Sequence, residues 1–137
     1  MKNFCISILL AITLCPPVAI PQEKGSISTV DLIQLLASPE KFEGKKVQVR
    51  GFVVILRDPR HLTATLFLHE EDAKHRLGNS VNILGSEQMI RDEEKINNVY
   101  VRLIGKVQVI PTTSGARVVQ IRDVESCDRW PPPELRK

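Results

Sequence analysis

Three histidines and three acidic residues lie close together near the middle of the sequence and are the first candidates for chemistry. His61 and His69 precede the acidic run 70–72, and His75 follows it. Imidazole nitrogens and carboxylate oxygens bind zinc and other divalent cations. The spacing of His69 and His75 does not match a helical or turn-based ligand pair, and no cysteine accompanies them. We interpret the segment as a solvated loop, predict no cofactor, and keep His69 and His75 as secondary metal-ligand candidates.

Basic residues on and beside the predicted β segments form a second candidate site, the groove of a single-stranded nucleic-acid-binding domain. The formal net charge is +3 over 137 residues, which is mildly basic and well short of a polybasic arm. Only 4% of the residues are aromatic, so few rings are available for base stacking, which contributes about 1–3 kcal/mol per base. The residues predicted to contact a ligand are Lys45, Lys46, Arg50, Phe52, Arg102 and Lys106.

The acidic residues also admit a catalytic interpretation. Metal-dependent nucleases combine carboxylates with arginines, and these residue types occur at Asp72, at Arg76 and in the segment 91–94. That segment has the charge density of a solvated helix face. No Ser/His/Asp arrangement, Cys/His pair or glycine-rich phosphate loop can be placed on the chain. We therefore predict that the protein is not an enzyme and retain a metal-dependent nuclease as the least favoured alternative.

Hydrophobic periodicity indicates the elements that must position these side chains. Apolar residues at helical spacing predict a helix over 29–37, capped by Ser28 or Thr29 and ended by Pro39. The segment 47–56 then alternates as a strand, although its apolar end predicts either burial on both faces or a bulge near Gly51. Four more strands and a charged helix are predicted, the strands over 63–68, 80–84, 99–109 (with a kink at Gly105) and 116–124, the helix over 85–97 with Met89 and Ile90 as its core contacts.

The first residues have the features of an export signal. Lys2 is followed by the apolar run 4–14, whose length suits a signal peptide and is too short to span a bilayer comfortably. A lipid anchor at Cys15 is the alternative, although Leu14 is bulkier than the residue that usually precedes a lipidated cysteine. We predict export to the periplasm or the medium and no transmembrane span. The predicted organisation is a signal peptide over 1–20, a linker over 21–27, a folded domain over 28–127 and a proline-rich flexible tail over 128–137.

Cys127 is the only cysteine that remains once such a leader is removed. An intramolecular disulfide would then be impossible, so the exported domain depends on its hydrophobic core. A disulfide between two chains remains open, and an unpaired thiol without a special role is the favoured interpretation.

The order of these elements matches the OB-fold plan, and a five-stranded α+β sandwich is the alternative. The segment around the first strand also resembles the opening of small exported bacterial OB-fold proteins, most of them uncharacterised. Segments 66–73 and 99–105 are similar to the second and fourth strands of the same proteins. The matching residues of the opening are Leu35, Leu36, Pro39, Glu40, Phe42, Gly44, Lys45, Val47, Val49, Gly51 and Phe52.

The core of that motif, over 44–51, also occurs in nucleic-acid-binding OB domains of the tRNA-anticodon type. The resemblance implies a mainly β protein: a five-stranded OB-like Greek-key barrel with an N-terminal helix and a helix between strands three and four. It identifies the fold and no ligand. We predict an exported, noncatalytic OB-fold binding or structural module of the cell envelope, with an envelope ligand or protein as its unknown partner. The alternative is a single-stranded nucleic-acid-binding domain, which export and the scarcity of aromatic residues do not favour.

Overall fold

The computed structural model describes residues 26–57 and 62–131, and the statements below concern those residues. The predicted signal peptide, the lipid-anchor position Cys15, His61 and residues 132–137 of the tail lie outside them. None of the described helices is long and apolar enough to cross a membrane. The elements are β1 (Ser28–Thr29), α1 (Leu32–Ala37), a 3₁₀ turn (Pro39–Lys41), β2 (Lys46–Arg57), β3 (Leu62–Phe67), α2 (Glu70–His75), β4 (Ser80–Leu84), α3 (Glu87–Arg91), α4 (Glu93–Ile96), β5 (Val99–Pro111) and β6 (Arg117–Arg129).

The strands form one sheet that closes into a ring through β2. Residues 46–53 of β2 pair antiparallel with β5, and residues 52–57 pair antiparallel with β3. The strand order is β1-β2-β3-β4-β6-β5. The additional pairing of β2 with β5 closes the five longer strands into a ring. β4 and β6 run parallel and pair only at Asn82–Gln120 and Ile83–Ile121. The predicted mainly β architecture is confirmed.

Alternate residues of the strands β2 to β6 point into the ring and form its core. On β2, Val47, Val49 and Val53 are fully buried, as the valine alternation predicts. Leu32 and Leu35 of α1 close one part of this core. Burying one such side chain contributes about 1.5–3 kcal/mol, so the inward faces of the strands and the buried face of α1 supply most of the stability of a domain without a disulfide among its described residues.

Two glycines permit close contacts between strands. A Cβ atom on Gly51 would lie 2.5 Å from the carbonyl oxygen of Phe67, and one on Gly105 would lie 2.5 Å from Cγ2 of Ile121. The β5–β6 register shifts between residues 104 and 106, which confirms the predicted kink at Gly105. The β2–β5 register is continuous through Gly51, so the predicted bulge there is wrong. Burial on both faces is wrong too, because Leu56 is 63% exposed.

The first helix begins later than its apolar pattern predicts. Ser28 and Thr29 are extended and pair in parallel with β2, and Asp31 occupies the N-cap position. The side chain of Gln48 donates to Oγ1 of Thr29 at 3.3 Å, and the N–H of Val30 donates to the carbonyl of Gln48 at 2.9 Å. The predicted cap at Ser28 or Thr29 is therefore wrong, because these residues bond to a distant strand instead of to the helix.

The predicted second helix is two short helices. The hydroxyl of Ser86 caps α3 by accepting from the N–H of Met89 at 3.4 Å, and Asp92 leaves the helical conformation between α3 and α4. Met89 is buried as predicted, whereas Ile90 is 46% exposed. Ile96 of α4 is the second buried residue of this segment, at 3% exposed.

The last strand extends past its predicted end at 124. β6 continues to Arg129, and Cys127 is buried opposite Leu103 of β5. The N–H of Trp130 then bonds to the carbonyl of Tyr100 at 2.7 Å. The strand therefore occupies the first residues of the segment predicted to be a flexible tail.

Replacing Gly51 by alanine is expected to lower the free energy of unfolding by about 1–3 kcal/mol, because the added methyl group would meet the backbone of β3. Gly78→Ala is the matched control, since a Cβ atom there meets nothing within 4 Å. Its stability should stay within about 0.5 kcal/mol of the unmodified protein. Urea denaturation measures both variants, and equal stabilities would contradict the close β2–β3 contact.

Candidate functional site

The register of β2 against β5 collects basic side chains on the outside of the ring. Lys46 lies opposite Lys106, and Arg50 lies opposite Arg102. Val49, between the two basic residues of β2, is fully buried, so Arg50 points outward. On β6, Arg122 pairs with Lys106 and extends the same surface. We call Lys46, Arg50, Arg102, Lys106 and Arg122 the basic face.

Three carboxylates partly compensate this positive charge. Lys46 forms an ion pair with Glu125. A guanidinium nitrogen of Arg102 lies 3.6 Å from Oδ2 of Asp128, and Nε of Arg122 lies 3.7 Å from Oδ2 of Asp123. Such exposed pairs contribute about 0–1 kcal/mol each. The basic face thus carries more cations than the carboxylates paired with it.

Arg50 has no carboxylate partner among the described residues and lies against an aromatic ring instead. Its Cζ atom is 4.1 Å from the centre of the Trp130 ring, and Cζ of Arg102 is 5.9 Å from the same point. The two guanidinium carbons are therefore within about 10 Å of each other. A cation–π contact of this kind contributes about 0.5–1 kcal/mol at an exposed site. Trp130 thus holds two like charges on one side of the sheet.

Some donors of the basic face lack an acceptor. The Nε atoms of Arg102 and Arg122 are buried, and no described group accepts a hydrogen bond from either. A guanidinium carries five N–H donors in a planar fork that matches the oxygens of a carboxylate or phosphate. These two Nε atoms are not accessible to a ligand, but the side chains of Arg102 and Arg122 are 40% and 42% exposed. Their remaining guanidinium donors and the unequal charge make this face suitable for an anionic group.

Four of the six residues predicted to contact a ligand share this face: Lys46, Arg50, Arg102 and Lys106. Lys45 is exposed in the turn before β2 and precedes the paired segment. Phe52 lies on the outer side but is only 7% exposed. Its ring packs edge-on against Tyr100, with centroids 5.4 Å apart, and together with α2 residues it borders a separate shallow groove. Phe52 is therefore a packing residue covered by its neighbours, and it is not part of the basic face.

The sequence interpretation missed Trp130 and Arg122. Both join the face through the pairing of β6 with β5, which involves residues far apart along the chain. The only available signal for Trp130 was that the single tryptophan of the chain lies in a polar, proline-rich segment. A tryptophan at such a position often contacts an arginine or a ligand, but the sequence alone does not say which arginine.

The described part of the histidine-rich segment forms the helix α2 and brings no metal-ligand set together. His69 is the N-cap of α2 and His75 its last residue, so they lie at opposite ends. Asp72 is the only buried charged residue in the described part of the chain, and its carboxylate accepts from the N–H of His69 at 3.1 Å. Among residues 26–57 and 62–131, no three His, Cys, Asp or Glu side chains are placed to hold a metal ion. The solvated loop predicted there is wrong, because a helix with a satisfied first turn forms instead.

The neighbouring part of the ring has a different chemical character. Ala64 and Leu66 of β3, and Val81 and Ile83 of β4, point into the core. The outward side chains described on these two strands are all uncharged: Thr63, Thr65, Phe67, Ser80, Asn82 and Leu84. The positive charge of the sheet is therefore concentrated on β2, β5 and β6.

Comparison of the sequence with protein-family models and with curated proteins finds no match. The function of the protein is therefore inferred from the geometry and charge of the described residues and from the sequence itself. Within residues 26–57 and 62–131, the basic face around Arg50, Arg102 and Trp130 is the feature with the most specific chemistry.

Burial raises the pKa of the Cys127 thiol to about 12, and the nearby carboxylates of Asp128 and Asp92 act in the same direction. A raised pKa keeps the thiol protonated at neutral pH, and the thiolate is the reactive form. We expect native Cys127 to react with iodoacetamide at pH 8 at least about 100-fold more slowly than in the denatured protein. Mass spectrometry of the Cys127 peptide over time measures both rates. Similar rates would contradict the burial of Cys127 in β6.

Proposed function

We propose that this protein is an exported, noncatalytic binding module of the OB type that holds an anionic ligand on its basic face. The observation that carries the proposal is the placement of Arg50 opposite Arg102, with their Cζ atoms 4.1 and 5.9 Å from the centre of the Trp130 ring and with Arg50 lacking a carboxylate partner among the described residues. Like charges directly opposite each other destabilise a sheet. An anion bound between the guanidiniums of Arg50 and Arg102 would relieve this repulsion, which favours binding.

The strand order supports the OB assignment. OB folds are five-stranded, partly open Greek-key barrels. Here β2 pairs with both β3 and β5, and α3 and α4 lie between β4 and β5 along the chain. The β4–β6 pairing spans only two residue pairs, which fits the open side of such a barrel. The resemblance of the segment 35–52 to exported OB-fold proteins agrees with this order.

Export is supported by the charge and length of the N-terminal apolar segment. A module placed in the cell envelope meets anionic groups of lipids and polysaccharides rather than the nucleic acids of the cytoplasm. The basic face therefore fits an envelope ligand better than an intracellular one.

The charge distribution disfavours the nucleic-acid alternative. OB domains bind oligonucleotides across their second and third strands and the adjoining loops. The corresponding strands here are β3 and β4, whose described outward side chains carry no charge. Lysine and arginine supply most of the electrostatic attraction to phosphates, and base stacking needs free rings. One face of Trp130 already lies against Arg50. The anion site is therefore on a different side of the ring.

The double variant Arg50→Gln/Arg102→Gln tests the proposal with a fluorescein-labelled heparin oligosaccharide as the anionic probe. We expect the protein to bind the probe at low salt, and the variant to bind at least about 10-fold more weakly, equivalent to 1.4 kcal/mol. Arg91→Gln/Lys95→Gln is the matched control, because it removes two exposed positive charges from α3 and α4. Its affinity should change by less than about 3-fold. Fluorescence anisotropy at several salt concentrations provides the measurement.

Two outcomes would overturn the proposal. Absence of probe binding at low salt would remove the anion site. Equal losses in both double variants would show that net charge, rather than the basic face, determines binding. A labelled single-stranded oligonucleotide that binds more tightly than heparin, and that the Arg50/Arg102 change leaves unaffected, would favour a nucleic-acid function on another surface.

A further inference from the structure

A groove of about 340 Å³ lies beside the basic face, between α1 and β2. Its walls are largely apolar and include Val30, Leu32, Ile33 and Leu68, and Arg50 lines it as well. Ile33 is 61% exposed, although it is a large aliphatic side chain. Arg50 thus belongs both to an apolar groove and to the guanidinium pair at Trp130.

From this juxtaposition we infer that the ligand is an amphiphilic phosphate, such as a single phospholipid molecule, with its phosphate between Arg50 and Arg102 and its apolar part in the groove. This inference rests on the anion site proposed above. A phosphate group offers more acceptor oxygens than a carboxylate and can accept from two arginine forks at once. An aliphatic chain in the groove would cover Ile33, and removing apolar surface from water favours binding.

The remaining charge in the groove sets a limit on the ligand. Asp31, the N-cap of α1, also lines the groove. Its carboxylate repels a second anionic group and so favours a ligand charged at one end only. Trp130 contacts Arg50, which lines the groove, and its indole ring has an apolar body and a polar N–H. Such rings are common where a polar head group meets an apolar chain.

The test uses the emission of Trp130, the only tryptophan of the chain, as a direct reporter. Three soluble probes distinguish the contribution of the anionic group from that of the apolar chains: dihexanoylphosphatidylglycerol, inorganic phosphate and monohexanoylglycerol. The two lipids are titrated below their critical micelle concentrations. The first carries both an anion and apolar chains, and the others carry one feature each. We expect the phospholipid to bind at least about 10-fold more tightly than either of the other probes, because it satisfies the arginines and the groove together.

Two substitutions test the residues. Arg50→Gln and Ile33→Ser should each weaken phospholipid binding at least about 5-fold. Arg91→Gln and Ile90→Ser are the matched controls, since they change an exposed arginine and an exposed isoleucine on α3. Circular dichroism confirms that each variant is folded. The controls should differ from the unmodified protein by less than about 2-fold.

The inference is overturned if the phospholipid binds no more tightly than phosphate or monohexanoylglycerol, or if Ile33→Ser and Ile90→Ser have the same effect. Heparin binding distinguishes this result from failure of the proposed function. Heparin binding that still depends on Arg50 and Arg102, without a preference for the phospholipid, leaves the anion site intact and removes only its amphiphilic ligand.

Discussion

The structure depends on one constraint: β2 must pair with β5 along its first part and with β3 along its last part. Gly51 lies where these pairings meet, and only a residue without a side chain leaves room for the backbone of Phe67. Once the ring closes, the strand pairing determines which side chains of β2 point inward and which point outward. Its valines face the core, and Lys46 and Arg50 face outward. The orientation of the candidate site is thus a consequence of ring closure.

The same closure creates a local electrostatic cost. It places Arg50 opposite Arg102 and Lys46 opposite Lys106, where opposite charges would be more favourable. Glu125 and Asp128 offset part of this repulsion, and Trp130 gives both guanidiniums an attractive surface. A purely structural sheet has no need of this arrangement. Sites that break a local rule while their surroundings obey it are where function is expected.

The sequence predicts the parts of this arrangement that depend on local pattern. The alternation over 47–53 indicates which residues of β2 face outward, and so places Arg50 on the surface. Register between distant strands has no local signature, because it depends on ring closure and on the shift near Gly105. Trp130 and Arg122 were missed for that reason. The predicted start of the first helix was wrong for a similar reason. Pairing with β2 holds Ser28 and Thr29 in an extended conformation, although both residue types favour the N-cap position.

The net charge of the chain does not show how its charged side chains are distributed over the sheet. A formal charge of +3 indicates a chain with little attraction for polyanions. Because strand order separates an uncharged β3–β4 surface from a basic β2–β5–β6 surface, the described outward cations of the basic face lie on one part of the ring. An exposed pair of arginines beside an apolar groove can select a ligand by the distance between its anionic and apolar parts. Selection of that kind depends on geometry, so a mildly basic composition is compatible with a specific anion site.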